Sequence, residues 1–212
     1  MKATTWRGVA VAMESALATA VTITAITKAS PGVVSYTGTD PVNGDYVLLE
    51  VTGMEQLNNV VSRVAGVDGT GNTFQLEGID TTLFDTFTAG TARVITFGTS
   101  ISTMIDMKPS GGDPKYVDNT TLSQLIDTNQ PDGYNAAKYD FDNILKASDA
   151  GLLAMRAAMA AEASKCFKVR WRDGTIAVFP GYPACSMMAG GSDKVTTPAS
   201  ISLLSLPTYY AS

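Results

Sequence analysis

Apolar and polar residues alternate with a period of two along much of this 212-residue chain, the spacing that sends successive side chains to opposite faces of a strand. Val9, Val11 and Met13 alternate with Ala10, Ala12 and Glu14. Residues 20–25, 33–37, 46–51, 60–67 and 73–77 form short runs rich in β-branched and aromatic side chains. Ser30-Pro31-Gly32, Asn43-Gly44-Asp45 and Asp68-Gly69-Thr70-Gly71-Asn72 punctuate them. This pattern predicts a small all-β module in the N-terminal half.

The period changes once. Over residues 148–164, Leu152, Met155 and Met159 recur at helical spacing with Ala158 beside them, while Arg156 and Glu162 lie opposite. Ser148 is the expected N-cap, and Asp149 falls in the first turn, where the helix dipole favours an anion. Two alternating strands follow, Cys166-Phe-Lys-Val-Arg-Trp-Arg172 and Thr175-Ile-Ala-Val-Phe-Pro-Gly-Tyr182, separated by Asp173-Gly174. That spacing predicts a hairpin with a type I′ turn, positive φ at both central residues, and Cys166 opposite residue 181. Phe167, Val169 and Trp171 share one face; Cys166, Lys168, Arg170 and Arg172 share the other. The expectation is a sheet covered by the helix on one side, its cationic face turned to solvent or to a neighbouring subunit. Residues 194–206 read as a last strand stopped by Pro207, leaving Tyr209-Tyr210 in a tail.

The middle is turn-rich: Lys108-Pro-Ser-Gly-Gly-Asp-Pro114, Asp118-Asn-Thr-Thr121 and Asn129-Gln-Pro-Asp-Gly133. Leu122, Leu125 and Ile126 are its local apolar group, and Tyr139, Phe141 and Ile144 restart the core. A loop this long inside a compact domain is functional or disordered.

Composition narrows the function. The chain is 45% hydrophobic and 17% charged, against about 25% charged in ordinary soluble domains, which points to surface covered by oligomerisation. Its net charge is −5. Between Asp40 and Asp85 eight acidic residues face one base, Arg63. No basic cluster suits duplex DNA. The absence of histidine removes Ser-His-Asp and Cys-His catalysis and the commonest zinc ligand. Cys166 and Cys185 are read as free, partly buried thiols of a reducing compartment.

Other motifs carry little chemistry. Gly69-Thr-Gly-Asn72 lacks the third glycine of a phosphate cradle and reads as a turn. Asp140 and Asp142 share a strand face without a third ligand and read as solvated surface. Asn119-Thr-Thr121 fits a glycosylation sequon, but no other feature indicates secretion. Lys2, Arg7 and the six apolar residues 8–13 resemble a short signal peptide, yet fall below the usual 7–15 and alternate like a strand. Met187-Met188, beside Gly190-Gly191, is read as a core anchor for a loop. No catalytic, metal or cofactor site, no membrane span and no enzyme activity are expected.

Residues 136–207 resemble the lambda-like major tail tube proteins of siphophages. The resemblance rests on Tyr139-Asp-Phe141, Asp149 leading a helix, Phe167-Lys-Val-Arg-Trp171, Asp173-Gly-Thr175, Phe179-Pro-Gly-Tyr182, a Gly-Gly turn and the closing alternating strand. It implies a mainly β fold, a tail-tube β-sandwich or barrel core (1–22 and 98–212) with one packed helix. It also implies homo-hexameric rings stacked into a tube that conducts DNA without sequence-specific binding. The implied partners are tail tip or initiator, terminator and tape measure proteins, in a virion tail assembled in the bacterial cytoplasm. Residues 23–97 look like an inserted small β module of phage proteins, named after the first catalytic-cysteine half-domain of ubiquitin-activating enzyme. Ile23-Thr-Ala-Ile-Thr-Lys-Ala29, Asn43-Gly-Asp45, Thr52-Gly-Met-Glu-Gln-Leu-Asn58 and Phe74-Gln-Leu76 carry that likeness. In such tubes the long loop between core strands reaches neighbouring subunits and rings. Here that role falls on 108–136, with Lys115, Tyr116, Val117, Asp118, Thr120, Thr121 and Leu122 as the contact residues. The competing class is a β-sandwich carbohydrate-binding or adhesive module, whose aromatic platform would have to be Tyr209-Tyr210. Tail tubes of contractile phages and phage-derived particles share the fold.

Overall fold

Nearly every alternating run forms a strand. The computed structural model describes residues 7–186, 188–191 and 193–211. In chain order the N-terminal elements are β1 (Ala10–Met13), β2 (Ala16–Leu17), β3 (Val21–Ile26), β4 (Val33–Thr37), β5 (Tyr46–Thr52), a 3-10 turn (Glu55–Leu57), β6 (Val60–Asp68), β7 (Thr73–Leu76) and β8 (Ala89–Thr96). Then come β9 (Thr99–Ser100), β10 (Met104–Gly111), β11 (Pro114–Asp118), β12 (Asn129–Tyr134), β13 (Ala137–Ile144), α1 (Ala150–Ala160), β14 (Lys165–Arg170), β15 (Ile176–Cys185), β16 (Thr196–Leu203) and β17 (Thr208–Tyr210).

The strands β8-β3-β4-β7-β6-β5 run in antiparallel order, and β5 pairs back onto β8, so they close a small barrel. Closure removes the open edges that would otherwise template aggregation. Val34, Leu49, Met54, Phe74 and Leu76 fill its interior, each fully buried. Tyr46-Val-Leu-Leu49 is buried on both faces: Val47 and Leu49 point into the barrel, Tyr46 and Leu48 out of it. On the barrel flank Arg63 donates from Nε to Glu77 Oε2 at 2.6 Å and pairs with the same carboxylate through its second nitrogen. Those hydrogen bonds, more than the opposing burial, hold the Glu77 carboxyl below the ordinary 4.5. Such a carboxylate contributes its stability above the unfolded pKa and loses it as pH falls through the lower, folded-state pKa. Barrel melting temperature is therefore expected to drop as pH is lowered from about 6 to about 3.5, and Arg63→Gln to flatten part of that dependence. Circular dichroism melts of both proteins measure the difference; identical pH profiles would rule the pair out.

The main sheet has the order β10-β13-β16-β15-β14-β1-β9, with β17 added beside β15. It packs around α1, whose Leu152 and Met155 sit among Val11, Met13, Phe167, Phe179 and Ile201. Burying each such side chain is worth about 1.5–3 kcal/mol. Gly151 is where helix and sheet come closest: a Cβ there would lie 2.5 Å from the Ser100 carbonyl oxygen.

The helix is shorter than the apolar period suggests. Asp149, not Ser148, is the N-cap: its Oδ1 accepts from the Leu152 N–H at 2.9 Å and its Oδ2 from the Ser102 hydroxyl at 2.8 Å. The carboxylate satisfies an orphan N–H and ties the helix to the β9–β10 turn. At the other end Glu162 takes φ +51°. The Glu162 and Ala163 N–H groups reach back to Met159 and Ala158 at 3.1 and 3.0 Å, a Schellman stop.

The Asp-Gly hairpin exists with a different turn. Its last pair is Arg170↔Ile176, and the Gly174 N–H donates to the Trp171 carbonyl at 3.1 Å. Only Gly174 has positive φ, +93°, while the Asp173 carboxylate accepts from the Thr175 N–H at 3.0 Å. This is a longer loop with one glycine in the left-handed region, in place of a two-residue type I′ turn. The register moves with it, so Cys166 faces Pro180 and Lys165 faces Gly181.

The face expected to be cationic and wet is covered along part of its length, at Cys166 and Lys168. Cys166, Val178 and Tyr210 pack against Tyr46, Leu48, Val61 and Ile95 of the barrel. The Lys168 ammonium lies 5.3 Å from the Tyr46 ring centroid and 4.9 Å from that of Phe97. Burial, with Arg170 nearby, lowers its pKa; Arg170 and Arg172 remain exposed. Both thiols are free and buried, in different clusters on opposite faces of the sheet. At the rim of the joint buried Glu14 accepts from Lys165 Nζ at 2.9 Å and from the Cys166 N–H at 3.2 Å. The Tyr209-Tyr210 tail is strand β17, with Tyr210 buried and Tyr209 stacked on Trp171 at 6.3 Å. Met188 is 81% exposed and anchors no core; Met187 lies outside the described residues.

Candidate functional site

The turn-rich middle of the chain folds as an arm. The β10–β13 ladder runs out to Gly111↔Ala137, and beyond it β11 and β12 pair only with each other, from Pro114↔Tyr134 to Asp118↔Asn129. All of their residues are exposed. A lone two-stranded ribbon is marginal in water because neither face is covered. The local bonds are the Lys115–Asp132 ion pair at 3.3 Å and the Asn135 N–H on the Asp113 carbonyl at 2.9 Å.

The tip is ordered by its own polar side chains. Asp118 accepts from the Thr120 N–H at 2.8 Å, and its hydrogen bonds from Thr120 hold the carboxyl below its ordinary value. Thr120 Oγ1 accepts from the Thr128 N–H at 2.9 Å, and the Thr128 hydroxyl donates to Asn119 Oδ1 at 2.8 Å. The Thr121 N–H donates to Gln124 Oε1 at 2.8 Å, and its hydroxyl lies 3.1 Å from that of Ser123. With the polar groups turned onto each other, Leu122, Leu125 and Ile126 stand out at 109, 102 and 79% exposure.

All seven residues expected at contacts, Lys115, Tyr116, Val117, Asp118, Thr120, Thr121 and Leu122, lie on this arm. Tyr116 and Val117 are exposed mid-ribbon. Asp173 and Gly174 belong to the separate hairpin turn between β14 and β15. Leu125 and Ile126 complete the tip; their signal was an apolar cluster inside an otherwise polar, turn-rich segment.

The second exposed feature is the edge of the main sheet. Among the described residues β10 ends the strand order and bonds on one side only, to β13; β9, two residues long, ends the other side. Between them lies a cleft of about 320 Å³, lined by Val9, Val11, Ile101, Met104 and Ile105. An eight-residue strand with a bare edge is a ready template for pairing with another chain. Asp140 and Asp142 lie on β13, Asp140 paired with Lys138 at 3.0 Å. Among the described residues no group of three or more His, Cys, Asp or Glu is arranged to hold a metal. No helix among them is long and apolar enough to cross a membrane.

A mainly β subunit with a bare arm and an open sheet edge has the features of an assembly component. Residues 52–212 match the model of the phage tail tube protein family, TTP, and the chain belongs to that family. It is a structural component of a phage tail. No curated protein matches the chain. The family match begins well before residue 136 and takes in β6, β7 and β8 of the barrel.

Proposed function

We propose that this chain is the major tail tube subunit: six copies close into a ring, and rings stack into the conduit for DNA of a long non-contractile tail. The observation that carries the reading is the arm, a ribbon with an apolar tip that is exposed along its whole length among the described residues. The bare edge of β10 supports ring closure, because a ring pairs each edge with the next subunit. A net charge of −5 without a basic cluster suits a wall that DNA must slide past. Each phosphate neutralised by Lys or Arg adds salt-sensitive affinity, and hundreds of such contacts would hold the DNA in place.

On this reading the arm residues 115–122 contact neighbouring subunits and rings. Tip or initiator and terminator proteins bound the tube, the tape measure protein fills it during assembly, and the virion tail is built in the bacterial cytoplasm. The barrel spanning the proposed module 23–97, likened above to a small phage β module, is a permanent part of each subunit. Its apolar joint with the main sheet supports that. A carbohydrate-binding platform at Tyr209-Tyr210 has no support, since Tyr210 is buried.

Negative-stain electron microscopy of the concentrated protein, with mass by light scattering, tests the proposal. Six-membered rings or tubes with a central channel are the expected result. A stable dimer that never forms a ring under any condition would overturn it.

A further inference from the structure

A large apolar groove lies away from the sheet edges. It spans about 590 Å³ between the barrel and the base of the arm. Leu57, Ile79 and Phe84 come from the barrel side, Leu204 and Leu206 from the β16–β17 connection, and Tyr134 from the arm base. Tyr134, Leu204 and Leu206 are 62, 39 and 42% exposed, an apolar rim open to solvent.

We propose that this groove is the receptor for the arm tip of a second copy, filled by Leu122, Leu125 and Ile126. The proposal rests on the arm's role in assembly given above and names what the arm binds. Three observations carry it. First, the tip is an apolar knob braced from within, with Asp118, Asn119, Thr120, Thr121, Gln124 and Thr128 hydrogen-bonded to one another. Docking it therefore costs little further ordering. Second, the groove cannot take the tip of its own chain. The arm base forms part of its lining, and a paired ribbon of five residues holds the tip about 17 Å or more away without bending. Third, knob and groove are different patches on one chain, so each copy can give its tip to one neighbour and receive the tip of another, and the union can repeat from copy to copy.

The size of the contact agrees with such a role. Three aliphatic side chains bury about 60–120 Å² each, far below the roughly 800 Å² per partner of a stable complex. The contact leaves dilute subunits monomeric and becomes effective when a ring presents several tips at once. Both sides also carry carboxylates: Asp118 and Asp127 flank the tip, while Glu55 lines the groove and Asp85 is bonded to Gln56 at its edge. Salt screens that repulsion, so docking strengthens with ionic strength.

The test is disulfide trapping between two full-length variants. Leu125→Cys protein is mixed with a size-tagged Leu206→Cys protein and oxidised, at concentrations up to the solubility limit. Cys166 and Cys185 are 1 and 3% exposed and do not compete. Covalent heterodimers from the mixture, absent when either variant is oxidised alone and increasing with salt, are expected. Monomers only, at every concentration and salt, would overturn the proposal. A Leu204→Ser/Leu206→Ser variant, with its fold checked by circular dichroism, is expected to lower tube yield more than about tenfold. If a Leu122→Ser/Leu125→Ser/Ile126→Ser variant stops tube growth while the groove variant assembles like wild type, the receptor is wrong and the arm's role stands. If the tip variant itself assembles like wild type, the arm's role fails as well.

Discussion

Excision of residues 113–135 is expected to leave a fully folded subunit that builds no tube. The cut joins Gly112 to Ala136, which become the two central residues of a hairpin between the paired Gly111 and Ala137. Gly112 already has φ +79°, the conformation that the first central residue of a type II′ turn requires. The arm contributes no residue to the three buried clusters. Stability should therefore change by less than about 0.5–1 kcal/mol, and the shortened connection slightly favours folding. Tube yield, by contrast, should fall to the detection limit, because every copy loses its knob. Melting temperature and negative-stain counts on the same preparation separate the two effects. Tubes at wild-type yield from the excised chain would remove the arm from assembly altogether.

The largest stability effect should come from a residue near the C-terminus. Tyr210→Ala is expected to cost about 3–5 kcal/mol, the range for emptying a buried aromatic site. Tyr210 sits between main sheet and barrel, 5% exposed, with Tyr46 edge-on at 6.1 Å and the Arg63 guanidinium 4.7 Å from its ring centroid. Its hydroxyl accepts from the Arg63 N–H at 2.8 Å. Tyr210→Phe keeps the ring and strands that donor, at about 1–3 kcal/mol. Tyr209→Ala, on an exposed side chain, should stay within about 1 kcal/mol. Urea unfolding of the three variants checks the order. A Tyr210→Ala loss below about 1 kcal/mol would mean that the barrel docks without this residue.

Those expectations could not have come from the sequence, where Tyr209-Tyr210 follows Pro207 and reads as a tail. The misreading has a physical cause: β17 is three residues long, too short to show a period. Its partners in β15 and β6 lie far away in the chain. The shortened helix has a similar origin. Apolar spacing reports which residues face a core, whereas the ends are set by caps, here the Asp149 carboxylate and the Glu162 turn. The register slip at Asp173-Gly174 followed from turn chemistry, since Asp-Gly fits more than one hairpin loop.

Periodicity determined the β-rich class, the single helix and most strands of the barrel, and turn residues marked the long segment between core strands. These are local properties, because side-chain direction follows the backbone period wherever one face is buried. The second burial of the main sheet was decided only in three dimensions. Lys168 and Arg170 looked equivalent on their strand, yet Lys168 lies over Tyr46 and Phe97 while Arg170 is exposed. Which of two charges on one face is covered depends on where another module comes to rest. The apolar groove beside Tyr134 and Leu206 arises in the same way, from three segments distant in the chain. A period tells a side chain which way to point, and only the packed fold supplies what it meets.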